Sequence, residues 1–128
     1  MKLLPLTGYK SLRALNAFHA LLLGLKMLPA YRELPYEKFF AAFDERSDLE
    51  KEAMLREAAV FVQLQQDEVE ALICFATDSN GVPYEAVNLR NLEPKEIHEI
   101  IVAVSMAIGR MKVSLVTSEE KKSSVSSQ

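Results

Sequence analysis

A chain of 128 residues, 49% apolar and 26% charged, has the balance of an ordinary folded protein. It is long enough to bury roughly two thirds of the surface its unfolded form exposes, so no disulfide or metal is needed to hold a core. A formal charge of −3, with 15 Lys and Arg scattered among 18 Asp and Glu, argues against a dedicated nucleic-acid binder, which needs clustered cations.

Met1–Leu6 is too short for a signal peptide. After Pro5 and Thr7-Gly8 a first helix is expected from Tyr9 to Leu28, closed by Pro29, because proline disfavours the helical conformation in the residue before it. At about 100° per residue, Ala14, Leu15, Phe18, Leu21, Leu22, Leu25 and Leu28 share an arc of roughly 140°. Ala17, Ala20 and Gly24 form a row of small residues beside it, where another helix can approach closely. The polar sector holds Asn16, His19 and Lys26, and even there Leu12 and Leu23 intrude. Such a helix is hidden on most sides, by the rest of the chain, by another copy or by a different protein. Arg13, Asn16, His19 and Lys26 interrupt the apolar run too often for a membrane span, which needs about 20 predominantly apolar residues.

Pro35 suits the first turn of a short second helix in which Tyr36, Phe39, Phe40 and Phe43 lie on one stripe. Ser47-Asp48-Leu49-Glu50 is a capping box: the serine oxygen accepts a free backbone N–H, and Glu50 is placed to reach back to the serine N–H. From there to Thr77 no proline or glycine intervenes. Leu55, Ala58, Val62, Val69, Leu72, Ile73 and Ala76 keep one helical phase, which favours a single long rod over a second helix starting near Gln65-Gln66.

Thr77-Asp78-Ser79-Asn80-Gly81 reads as the turn ending that rod, and Val82–Leu92 as an irregular lid in which Val87, Leu89 and Leu92 cover the core. Pro94 opens the last helix, with Ile97, Ile100, Ile101, Val104, Ile108 and Met111 on its main stripe and Val102 and Met106 opposite. Apolar surface on two faces points to a central position or to self-association. The expected fold is all-α, a small single domain of four to five helices at 1–116 with a disordered, flexible Ser/Lys/Glu-rich tail at 117–128.

Chemistry-bearing patterns are few. His98-Glu99 resembles the start of a zinc-protease motif, but Val102 stands where the second histidine is required. Asp78–Gly81 departs from a calcium loop because its glycine falls too early and Leu89 occupies the closing-glutamate position. Cys74 lies beside an apolar stripe with no histidine near in sequence, the setting of a small buried hydrophobe rather than a nucleophile. His19 reads as a satisfied core or interface histidine. Neither an enzymatic activity nor a cofactor is expected.

The segments Leu4–Phe18, Arg56–Val62, Asp67–Leu72 and Asn91–Ile101, together with the Asp-x-Asn-Gly-x-Pro pattern at 78–83 and the Leu-x-Pro-x-Glu-Ile helix start at 92–97, resemble the shorter tail assembly chaperones of lambda-like and related long-tailed bacteriophages and prophages. The resemblance covers about residues 4–112. It implies a non-enzymatic, mostly helical protein of the host bacterial cytoplasm, absent from the mature virion. Such a protein self-associates and coats the apolar tape-measure protein until tail-tube proteins polymerise around it. The resemblance also implies a longer form made by programmed frameshifting, which recruits the tail-tube protein, with Lys121-Lys122 in the region where such a shift would sit. In this reading Leu15, Phe18, Leu22 and Leu25 are either partly an interface, with another copy or with the tape-measure protein, or wholly core. The competing class is a helical DNA-binding or regulatory adaptor that reads duplex with the helix starting at Pro94.

Overall fold

The computed structural model describes the side chains of residues 1–110 and the backbone through Ser126. Met111 and the tail expected at 117–128 lie outside the fully described residues. The chain is mostly helical: among the described residues it forms α1 (Tyr9–Lys26), α2 (Tyr36–Glu45), α3 (Asp48–Phe61), α4 (Gln66–Ile73) and α5 (Pro94–Ser126). Two short strands, β1 (Lys2–Leu3) and β2 (Ala76–Thr77), and a 3-10 turn at Ala86–Arg90 complete the order.

The first helix ends where proline required. The N–H of Met27 returns to the carbonyl of Gly24 at 3.1 Å, and Lys26 stands in the last turn, where a cation suits the negative helix end. Its neighbours are α3 and α4 along its length and α5 beneath. The small-residue row forms one of these contacts: a Cβ placed on Gly24 would fall on both Cγ atoms of Val62. Gly24→Ala gains about 1 kcal/mol of helix propensity but forces that contact, and overpacking costs about 1–3 kcal/mol. We expect net destabilisation by denaturant unfolding, reversing in sign when Val62→Ala is already present.

Pro35 caps α2, as its fixed backbone geometry suits. Phe39 and Phe43 are buried, Phe40 is half-buried and Tyr36 is largely exposed. α2 docks by rings: Phe43 lies 6.5 Å from Phe18 between centroids, and Phe39 meets Tyr31 edge-on at 5.7 Å.

At α3 the Ser47 oxygen accepts the Glu50 N–H at 3.2 Å, as the capping box requires. The Glu50 carboxylate, however, takes the serine hydroxyl at 3.2 Å instead of the serine N–H. The single rod expected over 48–77 does not form. The helix stops at Phe61, and Val62 turns extended, with its side chain seated against Gly24. A new helix starts after Gln65, whose N–H donates to the Glu68 carboxylate at 3.0 Å. The interruption from Val62 to Gln65 is about one turn's worth of sequence, so the apolar phase continues across it unbroken.

α4 is also shorter than expected, ending at Ile73. Thr77–Gly81 therefore does not end a helix. Phe75 accepts the Leu4 N–H at 2.7 Å, and β2 pairs antiparallel with β1, Lys2 opposite Thr77 and Leu3 opposite Ala76. The chain then reverses through a turn in which Asp78 Oδ1 accepts the N–H groups of Asn80 (2.8 Å) and Val82 (3.0 Å). Gly81 at φ 80° supplies the left-handed residue. Of the expected lid, Leu89 and Leu92 pack on the core while Val87 is exposed.

α5 is covered on both of its apolar faces: Ile100, Ile101, Val102, Val104 and Ile108 are all buried, and Met106 is partly so. Its second face is thus explained by central packing against α3 and α4. Ser105, also buried, leaves its hydroxyl without a partner beside a void of about 10 Å³, room for a single water.

α5 is further tied to α3 by Arg56, whose guanidinium donates to both Glu99 oxygens (2.9 and 3.1 Å) and to Glu52 (3.0 Å). The Arg56 hydrogen bonds hold the Glu99 carboxyl below the usual carboxylate range. A depressed acid stabilises the fold above its unfolded pKa, about 4.3. That contribution is lost as pH falls through the lower folded value. Glu99→Gln should therefore lower stability modestly at neutral pH and converge on the unaltered protein in acid, flattening the acid limb of the stability–pH curve; urea midpoints across the range measure it.

Candidate interaction surface

The four residues singled out on the first helix do not share one environment. Phe18, Leu22 and Leu25 are no more than 1% exposed and lie inside the core of the single chain, where α3, α4 and α5 meet α1. They are not on a surface that a partner can reach. Leu15 is half-buried at the edge of that core.

The accessible apolar surface of α1 is on the opposite side. Leu12, Leu23 and Met27 stand 58%, 42% and 63% exposed. At about 100° per residue they share a sector some 60° wide with Tyr9 and Asn16, pointing away from Ala14, Leu21 and Leu25. From Tyr9 to Met27 the stripe runs about 27 Å. Its edges are basic. Arg13 lies on one side and Lys26 on the other, and the Tyr9–Lys26 helix contains no Asp or Glu. Phe61 and Val60 at the end of α3 add exposed apolar surface close to the Gly24–Val62 contact. The sequence carried a sign of this face in the Leu12 and Leu23 that interrupt its polar sector. The broader arc around Leu22 outweighed that sign, because helical phase alone does not say which of two apolar arcs the fold covers.

Beside this stripe, hollows of about 200 and 190 Å³ follow the seam between α1 and α4. Lys10, Arg13, Asn16 and Ala17 form the α1 side, and Asp67, Glu68, Glu70, Ala71 and Cys74 the α4 side. The acids have local work at the helix start: the Asp67 carboxylate accepts the Glu68 N–H, Glu68 accepts from Gln65, and Glu70 accepts from the Gln66 amide. Cys74 is half-buried, and its Sγ donates to the Ala71 carbonyl at 3.3 Å. Burial pushes its thiol up, against weaker opposing fields from Lys10 and Arg13. It is therefore protonated at neutral pH and a poor nucleophile.

A further open groove of about 400 Å³ lies between α4, the 3-10 turn and α5, lined by Leu64, Val69, Leu89, Ile97, Gln66 and Arg90. His98 is half-buried on α5, and its neighbour Glu99 is engaged by Arg56. His19 is half-buried, its ring edge-on to Phe40 at 6.4 Å and 6.1 Å from Phe18. Among the described residues no three His, Cys, Asp or Glu side chains are grouped to hold a metal ion, and no helix is long and apolar enough to cross a membrane.

Comparison with known proteins returns no matching family model, no matching curated protein and no matching solved structure.

Proposed function

We propose that this chain is a tail assembly chaperone of a long-tailed phage or prophage, working in the host cytoplasm, and that the outer face of α1 is the surface it presents to helical partners. One observation carries the reading: a stripe of Leu12, Leu23 and Met27, exposed along a helix whose other side anchors the core. A rigid helix displaying a long apolar stripe suits a helix-in-groove or helix-on-helix contact. It offers no pocket in which a small substrate would be enclosed. The sequence resemblance supplies the identity of the client, the tape-measure protein, and of the further partners, a longer frameshifted form and, through it, the tail-tube protein.

The competing adaptor reading needs α5 to face outward as a recognition helix. Its burial from Ile100 to Ile108 speaks against that use.

The test is co-expression with the product of a very long downstream reading frame for a helical protein, which the chaperone reading requires. We expect the pair to co-purify, and Leu12→Asp combined with Leu23→Asp to abolish capture while leaving circular dichroism unchanged. A folded protein that fails to retain this client overturns the proposal. A slippery heptamer in the nucleotide sequence around codons 117–128, overlapping a second reading frame, would support the frameshifted partner.

A further inference from the structure

We propose that α2 is a strap that opens as a unit while α1, α3, α4 and α5 stay folded, and that its opening uncovers the flank of α1 beside the exposed stripe. The other four helices are joined by long seams, whereas among the described residues no helix runs along α2. Its ties to the rest are rings: Phe43 against Phe18, Phe40 edge-on to His19, and the Lys51 ammonium 5.9 Å from the centre of the Phe43 ring. The chain is extended on each side of α2, at Pro35 (ψ 150°) and Arg46 (ψ 156°). Beyond it, α3 starts on its own cap at Ser47, so the first turn of α3 does not depend on α2.

The closed position also leaves polar groups unsatisfied. Among the described residues the buried side-chain atoms without a hydrogen-bond partner are Ser105 Oγ and Arg46 Nε. Both lie at this dock. Arg46 is the residue that ends α2, and Ser105 lines a hollow whose α2 wall is Phe43 and Asp44. A buried polar group without a partner is costly, and the cost is relieved once water reaches it. Lifting α2 away admits water to the Ser105 hydroxyl, so the burial of Phe39 and Phe43 is partly offset at the same joint.

Opening changes what α1 presents. In projection His19 falls about 20° from Leu12 and about 40° from Leu23, and Phe18 about 100° beyond His19. The strap covers the helix at both of these positions, and Phe18 is 1% exposed beneath it. With α2 closed the accessible apolar face is the narrow outer stripe; with α2 open it extends past His19 to Phe18. The use of the wider face rests on α1 being an interaction surface, and the opening itself does not.

Native-state hydrogen exchange of the unaltered chain, followed by mass spectrometry in urea below the global transition, tests the strap. A helix as short as α2 does not persist once undocked, so its amides report the opening. Residues 39–44 should share one opening constant, at least about 100-fold larger than that of the α1 and α5 core, with a weaker dependence on urea. Ser105→Ala, which removes the unsatisfied hydroxyl, should slow exchange in α2 about tenfold. Lys51→Gln, which removes the cation over Phe43, should speed it about threefold.

Exchange of α2 only together with α1 and α5 overturns the proposal. So do rates that fall off steadily from one end of α2, which is fraying, or a Ser105→Ala protein whose α2 exchanges as before. No client enters these measurements. Their failure leaves the functional proposal standing, and failed capture of the long helical protein leaves the strap standing.

Discussion

Leu22→Asp is expected to leave no folded protein at neutral pH. The side chain is 1% exposed, on the side of α1 that faces the core. A carboxylate there loses several kcal/mol of hydration with no cation in reach, and the cavity left by the shorter side chain adds to the cost. A domain of this size has only about 5–15 kcal/mol of stability to lose. The cooperative thermal transition should disappear, and the amide spectrum should collapse to the dispersion of an unfolded chain. Leu23→Asp, one position on, should change stability by no more than about 0.5–1 kcal/mol, because Leu23 lies on the solvent side of α1 and a carboxylate there stays hydrated. A folded Leu22→Asp protein would mean that this side of α1 is not core.

Phe39→Ala is expected to cost about 3–5 kcal/mol, lowering the melting temperature by roughly 10 °C or more. Phe39 is 1% exposed and meets Tyr31 at 5.7 Å and Phe40 at 5.6 Å between ring centroids. A helix as short as Tyr36–Glu45 does not persist by itself. Its attachment is the aromatic cluster rather than a long helix–helix seam, so loss of one ring should release the whole element. Hydrogen exchange is the discriminating measurement: protection should vanish across α2 while α1, α4 and α5 keep theirs. Uniform loss of protection would instead make α2 part of the cooperative core. Phe39→Leu, which refills much of the volume, should recover a large share of the stability.

What the sequence disclosed follows how local each cause is. Pro29, Pro35, Pro94 and the Ser47 cap act within a few residues, and the limits they set for α1, α2, α3 and α5 match the structure closely. The division between α3 and α4 was hidden because a four-residue interruption preserves the apolar phase. The deciding contact, Val62 against Gly24, lies 38 residues away in the chain. The strand pair Lys2–Leu3 with Ala76–Thr77 is too short to show alternation and draws its partner from the far side of the sequence. For the exposed apolar stripe, the presence of excess apolar area on α1 was readable, but its position was not. Phe18, Leu22 and Leu25 differ from Leu12 and Leu23 only in which neighbours dock beside them, and docking is a tertiary fact.

The notch at Gly24 fixes more than a helix contact. By seating Val62, it holds the chain just past α3 against α1, next to the exposed Val60 and Phe61. A larger residue at 24 would then be felt at the exposed end of α3 as well as in the seam it now closes.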